Sequence, residues 1–333
     1  MKIALDAMGS EGAPDVEVLG ALEAARTVAA GHEILLVGDR VRIERALDLR
    51  RPLPPNLEIV HASEVIGMAD PPLQGLRRKR EASVLKALEL ASSGGADAVV
   101  TAGNTGAAAA GARMVLGMLP GVERPAICTL MPSARGYFAL LDAGANTDSR
   151  PAHLLQFALM GARYFDFACG RARPRVALLN IGSESGKGNE LTRGAHQLLA
   201  AADLDFIGNI EASRIFMGEA DVVVADGFVG NILLKASEGV AAAIQGMLTG
   251  ELRGNVFRSI GGWLLRPVFK RLGKRISPEE YGGAPLLGVR GTCIICHGAS
   301  TPRAISCALG AAVRYSREKV NDKISAAVSQ TAE

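Results

Sequence analysis

The chain has 333 residues, 48% hydrophobic and 21% charged, with 39 glycines and a formal charge of only +3. Such a length buries a large core and is taken as one oversized α/β domain, 1–333, while the small charge excludes a dedicated nucleic-acid binder. Five cysteines, an odd number scattered along the chain, make no disulfide framework and point to a reducing cytoplasm. The sequence opens directly on a strand, Met1 to Asp6, so no signal peptide is expected, and no apolar stretch approaches the roughly 20 residues of a membrane span.

Lys2 to Leu5 reads as a strand and Pro14 to Ala30 as a helix with proline in its first turn. Glu33 to Val37 is a second strand, Val41 to Leu49 a helix, and Leu57 to Val60 a third strand. Arg77 to Ser92 is expected to be one helix with Arg77, Arg78, Lys79 and Arg80 at its start, where cations oppose the helix dipole. Either a ligand meets them there or they form a solvated basic turn.

From Ala96 onward, apolar runs stop in loops of Gly, Asn and Asp. Ala98 to Val100 leads into Thr101-Ala102-Gly103-Asn104-Thr105-Gly106, and Tyr137 to Leu141 into Asp142-Ala143-Gly144-Ala145-Asn146. Val176 to Leu179 leads into Asn180 to Asn189, and Val222 to Ala225 into Asp226-Gly227-Phe228-Val229-Gly230-Asn231. Phe206-Ile207-Gly208-Asn209 is taken as one more such turn. Thr292 to Cys296, His297-Gly298 and a helix from about Pro302 to Val320 complete the series, with a polar, frayed tail beyond. This alternation predicts a mainly parallel sheet with helices on both faces, a three-layer α/β/α sandwich. Strands that end in glycine-rich turns gather backbone N–H groups at one sheet edge, which suits an anionic ligand.

Arg253 to Arg275 breaks the pattern with seven basic residues and no acidic one. Val256, Ile260, Leu264, Val268 and Leu272 form an i,i+4 stripe, and Arg258, Arg266, Lys270 and Lys274 fall opposite. Pro267 is expected to kink or split this basic amphipathic extension, 247–277. With Arg271 and the chain's only tryptophan, Trp263, it suits an anionic membrane surface or an acidic protein, or a dimer contact with a solvated basic face.

Lys187, flanked by Gly186 and Gly188, lets an oxyanion approach both ammonium and backbone. The loop departs from a Walker A motif in its glycine spacing and in lacking Ser or Thr after the lysine, so ATP is not indicated. Asn104 and Asn231 each open a small-residue helix, as anion donors or as N-caps. Asp6, Asp142 and Asp226 end strands, where a carboxylate can bind a cation, orient a lysine or cap a turn; no acidic cluster has ligand spacing, so no metal and no cofactor are expected. His297 is an acid, a phosphate ligand or a hydrogen-bonded structural histidine. Cys293-Ile294-Ile295-Cys296 reads as two buried strand cysteines. No Gly-x-Ser-x-Gly elbow occurs, so no covalent acyl-enzyme is indicated.

These stretches, together with Asp6-Ala7-Met8-Gly9, Ala13-Pro14, Leu178-Leu179-Asn180-Ile181-Gly182 and Tyr281 to Gly288, run in order over nearly the whole chain. The sequence resembles the acyl carrier protein:phosphate acyltransferases of bacterial phospholipid synthesis, the PlsX family, departing at Ser10-Glu11, Thr101 and Ser183. The resemblance implies a fold related to phosphotransacetylases and isopropylmalate-type dehydrogenases, and transfer of an acyl group from acyl carrier protein to inorganic phosphate. Lys187, Asn231 and His297 would then act in catalysis. Gly103, Asn104, Thr105, Gly106, Asp6, Asp142, Asn146 and Asp226 would line the phosphate and substrate site. It further implies a homodimer whose basic extension (Arg258, Trp263, Arg266, Lys270, Arg271, Lys274) meets carrier protein, the membrane, or the membrane-bound glycerol-3-phosphate acyltransferase downstream. A phosphotransacetylase using acyl-CoA and a non-catalytic carrier-binding regulator are the rival readings.

Overall fold

The computed structural model of the chain describes residues 1–48, 50, 52–252, 261, 263–269, 271, 273 and 282–329. In chain order the strands are β1 (Lys2–Asp6), β2 (Glu33–Gly38), β3 (Leu57–His61), β4 (Ala98–Thr101), β5 (Ala126–Ile127) and β6 (Thr129–Ser133). They continue with β7 (Gly136–Leu141), β8 (Arg175–Asn180), β9 (Asp205–Glu211), β10 (Val222–Val224), β11 (Ala284–Leu287) and β12 (Thr292–Ile295). The mainly parallel α/β pattern expected from the sequence is present, divided between two sheets: β3-β2-β1-β4-β12-β11-β5 and β6-β7-β10-β8-β9. Only β11 with its neighbours and the β6–β7 pair are antiparallel. β5 runs on into β6 through Cys128, so the edge strand of the first sheet becomes the edge strand of the second.

One apolar cluster continues between the sheets, with Val99, Cys293 and Leu286 from the first and Phe138, Ala177 and Val223 from the second. The other face of the first sheet is covered by helices Asp15–Arg26 and Pro302–Arg317, whose Val18, Leu22, Ile305 and Leu309 pack on Ile3, Leu36 and Val100. The other face of the second sheet packs Leu141, Leu178 and Val224 against helix Pro151–Cys169, which supplies Leu154, Phe157 and Ala158. Cys293 and Cys296 are buried in this frame, and burial pushes both thiols up to about 12. They are structural apolar residues, as their strand context implies.

Four sequence expectations give way here. The stretch Arg77 to Ser92 is two helices, Pro72–Arg78 and Ser83–Ser92. Arg77 and Arg78 therefore close the first helix, where cations favour the dipole, and no longer open the second. Gly208 and Asn209 lie inside β9, at the register shift between Val176 and Leu178, and Gly208 takes φ +92°. A glycine in that conformation marks an irregularity within a strand as readily as its end. The tail beyond Val320 is a helix, Val320–Ser329, and its i,i+4 stripe Val320, Ile324 and Val328 is buried against helix Pro151–Cys169. Helix Gly227–Leu252, at 26 residues, has the length and mean hydropathy of a membrane span, contrary to the expectation that no segment does. Gly230 in its first turn sits so close to Asp142 that a Cβ there would overlap the Asp142 carbonyl oxygen, so this end of the helix is packed in protein.

Ile324→Ala removes a fully buried side chain and is expected to cost about 2–5 kcal/mol of stability. Chemical denaturation would register this as a lower midpoint, and an unchanged midpoint would mean that the last helix contributes nothing to the core.

Candidate active site at the strand ends

The parallel strands of each sheet deliver their loops to one edge. In the first sheet β1, β4 and β12 are neighbours, so the loops beginning at Ala7, Ala102 and Cys296 lie side by side. Strand order reverses between β1 and β4, the position at which open α/β sheets leave a ligand crevice. There Gly9 and Gly103 approach so closely that a Cβ on Gly9 would stand 2.6 Å from the Gly103 nitrogen. In the second sheet β7, β10 and β8 are neighbours and bring together the loops 142–146, 225–231 and 180–189. The two edges meet where His297 Nε2, after β12, stands 2.9 Å from Lys235 Nζ on the helix that follows β10.

Several predicted site residues organise these loops. Asp142 is fully buried, and its Oδ1 accepts the N–H groups of Ile127, Gly144 and Ala145 at 2.9–3.1 Å. Its Oδ2 accepts the Asn146 backbone N–H and Nδ2, both at 2.8 Å. Burial pushes this carboxyl up, while the surrounding N–H groups favour the charged form. Asn146 is also buried and donates to Pro125 O. Asp6 accepts the Thr101 hydroxyl at 2.8 Å and the Met8 N–H at 3.2 Å; burial raises its carboxyl against the pull of Ser83, Thr101 and Met8. Asp226 accepts the Phe228 and Val229 N–H groups and so caps its helix. Asn104 caps helix Thr105–Val115 through Ala107, and its Nδ2 points to the carbonyls of Gly67, Met68 and Asp70. Gly103 is buried, Gly106 rests on Pro72, and Thr105 is exposed.

The groups open to solvent are Lys187, Asn231, Lys235 and His297. The Lys187 loop is held by Asn180, which donates to Lys187 O, and by Asn189, which caps helix Glu190–Ala201. Lys187 Nζ lies 3.9 Å from Glu184. Asn231 stands against Gly144, whose φ of +137° lets the chain pass beneath it. Lys235 is one turn beyond Asn231, on the same helix face, and also pairs with Glu238 at 2.9 Å. His297 Nδ1 accepts the Ala299 N–H at 3.1 Å. A backbone amide is an obligate donor, so in a neutral imidazole Nε2 carries the proton; Nε2–H and the Lys235 ammonium then do not bond to each other but stand as two donors 2.9 Å apart. Two adjacent donors of that kind suit a single oxyanion. Lys235 is a residue the sequence reading lacks; its signal is the i,i+4 spacing from Asn231.

Glu17 is the other omission. It is completely buried beneath the first loop, with Oε1 accepting the Ser10 N–H at 2.8 Å and Oε2 without a partner. Burial pushes its carboxyl up to about 7, opposed by the Ser10 N–H and aided by Asp6. The loop it holds is tied to the His297 loop, because Glu11 N–H donates to Gly298 O at 2.9 Å. Its signal is position: Glu17 falls one turn before Ala21 on the helix face that buries Ala21, Ala24 and Ala25.

In the basic extension, residues 263–269 are helical, Pro267 included, and Trp263 is 70% exposed beside Leu264, Leu265, Arg266 and Val268; Arg271 is exposed as well. Arg258, Lys270 and Lys274 lie outside the described residues.

In fold the chain is similar to a phosphotransacetylase from Streptococcus pyogenes, with a TM-score of 0.61 at 16% identity, covering 96% of this chain and 94% of that one. It is also similar to 4-hydroxythreonine-4-phosphate dehydrogenase from Klebsiella pneumoniae, with a TM-score of 0.53 at 14% identity, covering 95% and 99%. The fold is thus that of an α/β protein of the phosphotransacetylase type. Residues 1–323 match the family described as fatty acid synthesis protein, and the chain belongs to that family. A relative from Moorella thermoacetica named phosphate acyltransferase is 51% identical over 94% of this chain and 92% of its own length. One of the same name from Thermodesulfovibrio yellowstonii is 46% identical over 100% and 96%.

Glu17 gives this site a pH signature. Its folded pKa lies above the ordinary value of 4.5, so its contribution favours the native state below about pH 4.5 and is lost as pH rises to about 7. Glu17→Gln keeps an acceptor for Ser10 and abolishes the titration. The variant should match the wild type at pH 5 and gain on it by up to about 3 kcal/mol at pH 7.5. A thermal or chemical stability difference that is flat across that range would show that Glu17 does not titrate there.

Proposed function

We propose that the protein transfers a fatty acyl group from acyl carrier protein to inorganic phosphate, releasing acyl phosphate and free carrier, an early step of phospholipid synthesis. Its family and its relatives named phosphate acyltransferase support this reading. The observation that carries the chemistry is the closeness of two donors, His297 Nε2 and Lys235 Nζ, one helical turn from Asn231, at the edge where both sheets end.

Phosphate is anionic and nucleophilic at neutral pH, so the protein has mainly to position it and to stabilise charge on the thioester carbonyl. Lys187, Lys235 and His297 hold the phosphate. One of its oxygens attacks the carbonyl carbon, Asn231 donates to the oxyanion that forms, and the C–S bond breaks as the carrier's thiolate leaves. Backbone donors of the Gly103–Gly106 loop assist in the same ternary complex, and no residue is acylated. Asp6, Asp142, Asn146, Asn104 and Asp226 shape the loops that carry these groups. Exposed Phe228 and Ile232 beside Asn231 give the acyl chain an apolar surface.

The protein works in the cytoplasm as a homodimer in this reading. The exposed Val240, Ile244, Met247 and Leu248 of helix Gly227–Leu252 form an apolar face suited to a second copy. Trp263, Arg266 and Arg271, with Arg258, Lys270 and Lys274 of the same segment, serve acidic carrier protein or an anionic membrane surface, close to the membrane-bound acyltransferase that uses acyl phosphate. A surface of this kind is more than a soluble acyl-CoA requires, which sets the reading apart from a phosphotransacetylase.

Purified protein with long-chain acyl carrier protein and phosphate should yield acyl phosphate and free carrier by mass spectrometry; consumption of acyl-CoA alone would favour the phosphotransacetylase. Lys187→Ala and Lys235→Ala should each reduce kcat/KM for phosphate by about 10²-fold or more, and near-normal turnover in either would remove that lysine from the mechanism. Arg266→Gln with Arg271→Gln should weaken carrier or liposome binding, and unchanged affinity for both would exclude the docking role.

A further inference from the structure

The parallel strands of the second sheet have a second edge, where β7, β8, β9 and β10 begin. A cleft of ≈ 510 Å³ lies there, on the side of the sheet away from the loops of the reaction site. A six-residue strand separates the two by roughly 20 Å. Its lining carries four guanidinium groups, Arg135, Arg171, Arg173 and Arg175, against two carboxylates, Asp205 and Asp221.

The charges are not balanced within the cleft. Asp221, buried at the start of β10, takes both Arg171 and Arg175 at 2.6–3.1 Å. Burial alone would raise its carboxyl, but the hydrogen bonds from Arg175 and Arg171 hold it below the usual range. Asp205 also acts on Arg175, so the excess positive charge of the lining rests on Arg135 and Arg173. Among the described residues Arg173 pairs with Asp203, which is 92% exposed, a contact that solvent makes weak. Among the described residues the Arg135 guanidinium makes no hydrogen bond or ion pair, yet its stem is fixed. Gly218, at φ +75°, lets Arg135 lie against the backbone, where a Cβ would stand 2.7 Å from the Arg135 Cβ. Ser133, at the end of β6, also lines the cleft.

We propose that this cleft is a second anion site, distinct from the reaction edge, that binds a phosphate group, with Arg135 and Arg173 as its guanidinium donors. Planar guanidiniums match the oxygens of phosphate in pairs, and Arg171 and Arg175 supply the surrounding positive field while keeping their bonds to Asp221. The phosphate is either free or the head of a small ester.

The test uses a protein without phosphate ligands at the reaction edge, Lys187→Ala with Lys235→Ala and His297→Ala, titrated by calorimetry with inorganic phosphate and, separately, with phenyl phosphate. One-to-one binding should persist in this background for at least one probe. Adding Arg135→Gln and Arg173→Gln should weaken it ten-fold or more. Tighter binding of phenyl phosphate would identify an ester as the occupant, and equal or tighter binding of inorganic phosphate would identify the free ion. Absence of binding in the triple variant, or binding unaffected by the arginine changes in a folded protein, would overturn the proposal. Because the readout is binding, it stands whether or not acyl transfer to phosphate is observed. In the otherwise unaltered protein, Arg135→Gln with Arg173→Gln should leave the KM for phosphate in that reaction unchanged.

Discussion

The reaction edge depends on a carboxylate that never meets solvent. Asp142 ends β7 and gathers five N–H donors from Ile127, Gly144, Ala145 and Asn146, which bend the chain back under the start of helix Gly227–Leu252. The close approach of Gly227 and Gly230 to that loop sets where the helix begins, and therefore where Asn231 and Lys235 stand. Replacing Asp142 by an apolar residue would strand several buried donors at once, each at the cost of an unmade hydrogen bond. Asp6 does similar work in the first sheet, holding Thr101 and Met8 so that Gly9 and Gly103 can touch.

A division of labour follows from burial. Carboxylates and amides with every lone pair or proton engaged can shape a loop but have nothing left to offer a substrate. Lysines and histidines at the rim keep free donors and can take a moving charge. The reaction proposed here asks for such a rim, since its nucleophile arrives already ionised and no side chain has to be acylated. Glu17 adds a titratable support under the first loop, joined through Glu11 and Gly298 to the strand end that bears His297.

Much of this was legible in the chain because it is local. Apolar runs that end in Gly, Asn and Asp marked the strand ends, and Lys187, Asn231 and His297 stood out as polar groups placed directly after them. Where local signals were ambiguous the reading slipped. Arg77 to Arg80 point to a helix start only because the break at Lys79 to Ala82 is not encoded by Gly or Pro. The tail beyond Val320 reads as polar and frayed, since the burial of Val320, Ile324 and Val328 requires helix Pro151–Cys169 as a partner. Gly208 read as a turn because a glycine at positive φ serves a bulge and a strand end alike.

The α/β alternation, the loops rich in small and amide residues, the basic extension and the family are all written in residue order and spacing. Only the tertiary structure decided that the strands form two sheets sharing a core, that Asp142 and Asn146 are buried and engaged while Lys187 and His297 are open, and that Lys235 meets His297 across 62 residues of chain. It alone brought Arg135, Arg173 and Ser133 to one cleft. Strand order and the pairing of distant side chains arise from packing and from satisfying buried polar groups, and neither has a fixed spacing along the chain.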